Sequence, residues 1–208
     1  MEHEQMAFHG KAALKWFAMV LVAVVLFGTV SIFAIYFVNR PDAGRIEAEQ
    51  YDVLSKYLFR TPAELQPLPV KCGEIDRYIV VNRTISTWSS PLTFLSLPAR
   101  KRQAHWIPTS VFINFLMRNI RSEKIGTNFI AQEMARRKLY SEESEQDRKA
   151  GSRLLTAKFT KVGFNKDFSY AMFQAEVSCG NLSGTEYVYM ARNAMHGNYW
   201  YVDAVYPR

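Results

Sequence analysis

SYAMFQAEVSCGNLSGTEYVYMARNAMHGNYWYVDAV, residues 169–205, alternates side-chain character with a period of two and is broken twice by turn-forming residues. Period two is the mark of strands, whose successive side chains point to opposite faces. The breaks, Gly180-Asn181-Leu182-Ser183-Gly184 and Met195-His196-Gly197-Asn198, are short enough to join antiparallel neighbours. Strands are therefore predicted at 169–179, 185–192 and 199–205, and Asn165-Lys166-Asp167 joins them to another at 154–164. In the strand at 169–179, Ala171, Phe173, Ala175, Val177 and Cys179 face one way and Tyr170, Met172, Gln174 and Glu176 the other, so one face is expected to be buried. Trp200, Val202 and Ala204 form a similar inward set.

Helical periodicity appears upstream of this meander. Ile46, Tyr51, Val53, Leu54, Tyr57 and Leu58 recur at near-helical spacing over 44–59, and Thr61-Pro62 ends that helix. Val111, Phe112, Phe115, Leu116 and Ile120 form an apolar stripe over 111–120, after a helix start at Pro108-Thr109-Ser110. A second helix is predicted at 128–139, followed by a surface connection at 140–152. Residues 77–85, rich in β-branched side chains, read as a short strand, and 86–104 as irregular. The fold class is α+β: one curved antiparallel sheet, a four-strand carboxy-terminal meander, with helices on one face.

Residues 16–38, WFAMVLVAVVLFGTVSIFAIYFV, carry no charge. At about 1.5 Å per residue a helix there is ~35 Å long, enough for a bilayer core of about 30 Å. The run is longer than the centre of a cleavable signal and ends in bulky residues, which favours an uncleaved anchor. Residues 1–15 are then a short tail, 16–38 a transmembrane helix and 39–208 one exported domain. Lys11 and Lys15 before the span nearly balance Arg40 and Arg45 after it, so the charge rule leaves orientation close to a tie. The length of the domain and the position of both cysteines beyond the span favour a cytoplasmic amino terminus and a periplasmic domain in a bacterial inner membrane.

With 49% hydrophobic and 22% charged residues, the chain has the composition of a folding globular domain. Its net charge of +7 is compatible with anionic headgroups. The basic runs Arg100-Lys101-Arg102 and Arg136-Arg137-Lys138 read as solvated faces, and nucleic acid is not an expected partner.

The end of the chain resembles a group of bacterial membrane-anchored envelope proteins with no assigned activity. The matching positions are Val162-Gly163-Phe164-Asn165, Cys179-Gly180, Gly184 and Trp200, with weaker similarity at YDVLSKYLF, YIVVNRT and FINFLMRN, and Asn119 at a position often filled by Asn. Members often carry a further cysteine where this chain has Ser183. The resemblance thus leaves Cys72 as the intramolecular partner open to Cys179. Such a bond closes a loop of about 107 residues, worth up to ~4.7 kcal/mol on the chain-entropy view, while two reduced buried thiols are the alternative. The layout of one span and a curved-sheet domain is also similar to inner-membrane subunits of type IV secretion systems.

Chemistry-bearing motifs are sparse. His105 and His196 have no Cys, Asp or Glu at metal-ligand spacing, and no nucleophile elbow, phosphate loop or H-E-x-x-H occurs, so no cofactor, metal or catalytic set is assigned. The expected function is a non-enzymatic binding or scaffold module with a partner protein or small ligand, an envelope assembly being one setting for it. The alternative is a membrane-tethered hydrolase using Cys179 or His196. The candidate binding face is Tyr187, Tyr189, Tyr199 and Tyr201, paired by alternation on adjacent strands; simple cross-strand packing is the competing explanation.

Overall fold

The computed structural model describes residues 2–58, 77–81, 83–86, 107–121, 154–193 and 199–207, in two units, Met1–Asn39 and Arg40–Arg208. The first unit is helix α1, Glu2–Val38. Its segment Leu14–Val38 has a mean hydropathy of 2.7 and is long and apolar enough to cross a membrane. Phe17, Phe27 and Val30 along it are exposed.

The second unit is α+β. Helix α2 is Ala43–Leu58 and α3 is Thr109–Arg118; the strands are β1 Arg77–Val80, β2 Leu154–Phe159, β3 Gly163–Phe164, β4 Tyr170–Cys179, β5 Leu182–Asn193 and β6 Tyr199–Pro207. Asp42 starts α2: its Oδ1 accepts from the Gly44 amide at 2.9 Å, satisfying a donor with no partner inside the helix. Sheet order is β1-β2-β4-β5-β6, with β3 also on β4. The pairs β2–β4, β4–β5 and β5–β6 are antiparallel, as the short connections require. At the edge, β1 lies parallel to β2, and the pairing is prolonged by Val81 and Ile85 amides donating to Ala157 and Phe159 carbonyls at 2.9 Å each.

Two irregularities set which side chain faces where. The expected strand at 154–164 is interrupted: Phe159 pairs Ala175 but Gly163 pairs Met172, so four steps on one side answer three on the other. That bulge keeps Val162 and Phe164 on the same face as Leu155, Ala157 and Phe159. In β6, Tyr189 pairs Ala204 while Met190 pairs Val202, which leaves Asp203 as an extra residue. The expected inward set therefore splits: Trp200 and Val202 join one core cluster and Ala204 the other. The β4–β5 connection is also tighter than expected. Cys179 pairs Leu182 across Gly180-Asn181, and Gly180 takes the left-handed φ of 58° that a two-residue turn demands.

Both faces of β4 are covered, which corrects the expectation of helices on one face. On the first face α2 supplies Tyr51, Val53, Leu54, Tyr57 and Leu58 to a core with Phe159, Phe173, Val177 and Met190. Tyr57, Phe159 and Phe173 meet edge to face at 5.2–5.9 Å, an arrangement worth about 0.5–1.5 kcal/mol per pair beyond burial. On the second face α3 supplies Val111 and Phe115, with Ile107 before it, to a smaller cluster of Met172, Tyr187, Tyr189 and Ala204. Helix and bulge touch at Gly163, where any Cβ would come within 2.5 Å of the Phe115 backbone nitrogen and Cα. The helix expected at 128–139, the connection at 140–152 and nearly all of the irregular stretch 86–104 lie outside the described residues.

Candidate functional site

Polar side chains from both helices close the first bulge. Asn119 donates from Nδ2 to the Phe115 and Lys161 carbonyls at 2.8 Å each and accepts the Lys161 amide on Oδ1 at 2.7 Å. The Phe164 amide donates to Asn114 Oδ1 at 3.0 Å and the Val162 amide to Gln50 Oε1 at 3.1 Å, while Arg118 donates to the Val162 carbonyl. A bulge leaves ladder groups without strand partners, and buried groups in that position are costly. Asn119 thus has a structural duty.

A second polar group ties α2 to the far strands. Glu49, 7% exposed, accepts from Arg192 at 2.7 and 3.1 Å, from Trp200 Nε1 at 3.1 Å and from Arg45 at 3.0 Å. Burial pushes its carboxyl up, but the hydrogen bonds from Trp200, Arg192 and Arg45 and the charge of Arg192 outweigh it and hold the group below the ordinary glutamate range. A carboxylate engaged by three donors in this way is a fastener, ill suited to general-base work. A little further along, the Tyr57 hydroxyl donates to the buried Glu186 at 2.5 Å.

The opposite face carries the exposed aromatic residues. Tyr187 and Tyr189, expected on a binding face, are each 1% exposed and belong to the cluster under α3. Tyr199 and Tyr201, by contrast, are 43% and 40% exposed. Tyr170 joins them at 37% and stacks on Tyr189, centroids 5.7 Å apart at 10°. The structure therefore brings the four expected tyrosines to one side of the sheet but divides them into a buried pair and an exposed pair. Burial first, then the neighbouring phenol of Tyr170 and the carboxylate of Asp203, raises Tyr189; burial and Asp203 likewise raise Tyr201 and Tyr206. Among the described residues, the hydroxyls of Tyr189 and Tyr206 are buried with no hydrogen-bond partner, an omission that a folded interior seldom tolerates without a reason.

Cys179 is disulfide-bonded, which removes the thiolate a nucleophilic role requires. Cys72, the chain's only other cysteine, lies outside the described residues, as do His105 and His196. Among the described residues no three His, Cys, Asp or Glu side chains gather to hold a metal.

Glu49, Arg192, Tyr170 and Asp203 were not among the sequence candidates. Glu49 carried a signal, since it falls three residues after Ile46 and four before Val53, on the apolar stripe of α2. A charge there needs a buried partner. Asp203 carried none. Comparisons with family models, with curated proteins and with solved structures return no match.

Proposed function

We propose that the chain is a single-span protein of the bacterial inner membrane whose domain at 39–208 is a non-enzymatic binding or scaffold module on the periplasmic side, working within an envelope assembly. The observation that carries this reading is the group of exposed tyrosines, Tyr170, Tyr199 and Tyr201, on one sheet face of a domain that begins directly after an apolar helix. Tyrosine presents a large, rigid contact area together with a polar tip, a combination suited to partner surfaces. The apolar length of Leu14–Val38 supports anchoring, and the disulfide at Cys179 supports an oxidising compartment.

The test is site-directed photocrosslinking in intact cells. A photoreactive residue at Tyr201 is expected to form a discrete adduct that is missing when the probe replaces Lys166 in the β3–β4 turn. Identical adducts at both positions, or none at Tyr201 in a folded protein, would reject the binding face. A phosphatase fused after Arg208 should be active; a silent fusion with an active cytoplasmic reporter would reverse the orientation.

A further inference from the structure

Resting on the reading of this face as a binding surface, we infer that its partner is a second membrane-inserted protein, held by the first residues that leave the bilayer. The exposed tyrosines share one end of the sheet. β4 starts at Tyr170, β5 ends at Asn193 and β6 starts at Tyr199; Tyr170 and Tyr201 both pair Ala191, and Tyr199 pairs Asn193. The Gly180-Asn181 turn closes the opposite end, about 30 Å away along β4. Helix α2 enters at the tyrosine end. The Arg45 guanidinium lies 4.8 Å from the centre of the Phe168 ring, just before Tyr170, and Glu49 holds Arg192 and Trp200, whereas Tyr57 reaches Glu186 further back along β5. Only Asn39 and Arg40 separate the end of α1 at Val38 from the buried Pro41, and α2 starts at Ala43. At no more than ~3.5 Å per extended residue and ~1.5 Å per helical one, Glu49 stands within ~27 Å of the end of the apolar helix, whatever the angle between them. An extended segment of about ten residues leaving a neighbouring span covers that distance.

The size of the surface selects the kind of partner. An aromatic side chain offers about 150–250 Å², so Tyr170, Tyr199 and Tyr201, at 37%, 43% and 40% exposure, present on the order of 250 Å² together. A stable complex between freely diffusing proteins buries about 800 Å² on each side. The tyrosines are too small a surface to hold a soluble protein, whereas a partner confined to the same bilayer arrives at high effective concentration and needs no more. Lipid is the poorer occupant. Among the described residues the exposed charges at this end cancel, Arg40, Arg45 and Lys166 against Asp42, Glu47 and Asp167, which leaves no net pull toward anionic headgroups. Nor does any exposed Leu, Ile, Phe or Trp among the described residues of the domain stand there to enter the acyl region; Ile120 follows α3, and Leu182 opens β5 at the other end. Tyrosine is a side chain that protein interfaces favour.

The test moves the domain away from the bilayer in the full chain, in intact cells, with the photoreactive residue at Tyr201. A helical spacer of about 30 residues between Asn39 and Arg40 lifts the domain by up to ~45 Å and should cut the adduct about tenfold or more; a Gly/Ser spacer of that length, which lets the domain return, should cut it only about threefold. The adducted peptide, identified by mass spectrometry, should come from within about ten residues of an apolar span in the partner. Should the helical chain lack the trypsin-resistant domain of wild type, Gly/Ser spacers of about 10 and 40 residues decide instead, with an expected drop of about eightfold between them from the −3/2 power of length. An adduct undiminished by the spacers, a peptide from a protein without a span, or an adduct of lipid mass overturns the inference. The first two results leave the tyrosines standing as a binding face for a soluble partner. No adduct at Tyr201 in folded wild type removes the binding face itself, and this inference with it.

Discussion

The two faces of the sheet use the same strands to opposite ends. On the first, α2 covers β4–β6 and a buried carboxylate holds Arg192 and Trp200. On the second, α3 covers Met172, Tyr187 and Tyr189 while Tyr170, Tyr199 and Tyr201 remain exposed. Neighbouring residues divide between these fates: Trp200 is 2% exposed, Tyr199 and Tyr201 on either side of it 43% and 40%. The first face fixes the positions from which the second is presented. Stability should accordingly reside in the first and recognition in the second.

The most severe way to break that contrast is Glu49→Ala, which strands Arg192 in a partly buried site. Removing one partner of such a pair costs about 3–5 kcal/mol, and urea denaturation of the purified chain should show it. An unchanged midpoint would mean that the fastener contributes nothing. The same carboxylate has a pH signature. Because its folded pKa is depressed, its stabilisation is fully present above the ordinary glutamate value of 4.5 and is lost as pH falls through the lower folded value. Glu49→Gln should therefore flatten the acid limb of a stability–pH profile, and a profile parallel to wild type would contradict the assignment.

Next in size is Gly163→Ala, which places a methyl group against the Phe115 backbone. Overpacking of this kind costs about 1–3 kcal/mol, and hydrogen exchange should report it as loosening of α3. Two hydroxyls offer a paired comparison of similar or smaller size. Tyr57→Phe takes the phenolic donor away from buried Glu186 and should cost about 1–3 kcal/mol, whereas Tyr189→Phe removes an unpartnered hydroxyl and should be neutral or slightly stabilising by thermal melting. Equal losses would remove the distinction between the faces. The smallest effect is expected for Tyr201→Ala, within about 0.5 kcal/mol of wild type in stability, because its ring is exposed.

Much of this architecture is legible in the amino-acid sequence alone. Period-two alternation locates the meander, and apolar stripes locate α2 and α3 to within a residue or two at most ends. The hidden features have a common physical cause: chain length can change facing without changing composition. Neither Lys161-Val162 nor Asp203 looks unlike ordinary strand sequence, yet an extra residue at each place turns the next side chains to the other face. Ala204 lies opposite to its expected side for that reason. The division of the tyrosines is hidden because alternation reports a shared face and says nothing of how far a helix extends over it. The parallel edge strand is illegible too, since 73 positions separate Val80 from Leu154 and nothing local encodes the pairing.

Asp203 has one more implication. A strand of strict alternation without it would already place Tyr199, Tyr201, Ala204 and Tyr206 on one side and Trp200, Val202 and Val205 on the other. The bulge reproduces that division with one amino acid to spare. In pairing terms position 203 is surplus, so excising it should yield a straighter β6 that still folds. The residue is therefore a natural handle: shortening the chain there, instead of substituting it, separates what the ladder needs from the charge that Asp203 brings to the phenols of Tyr189, Tyr201 and Tyr206.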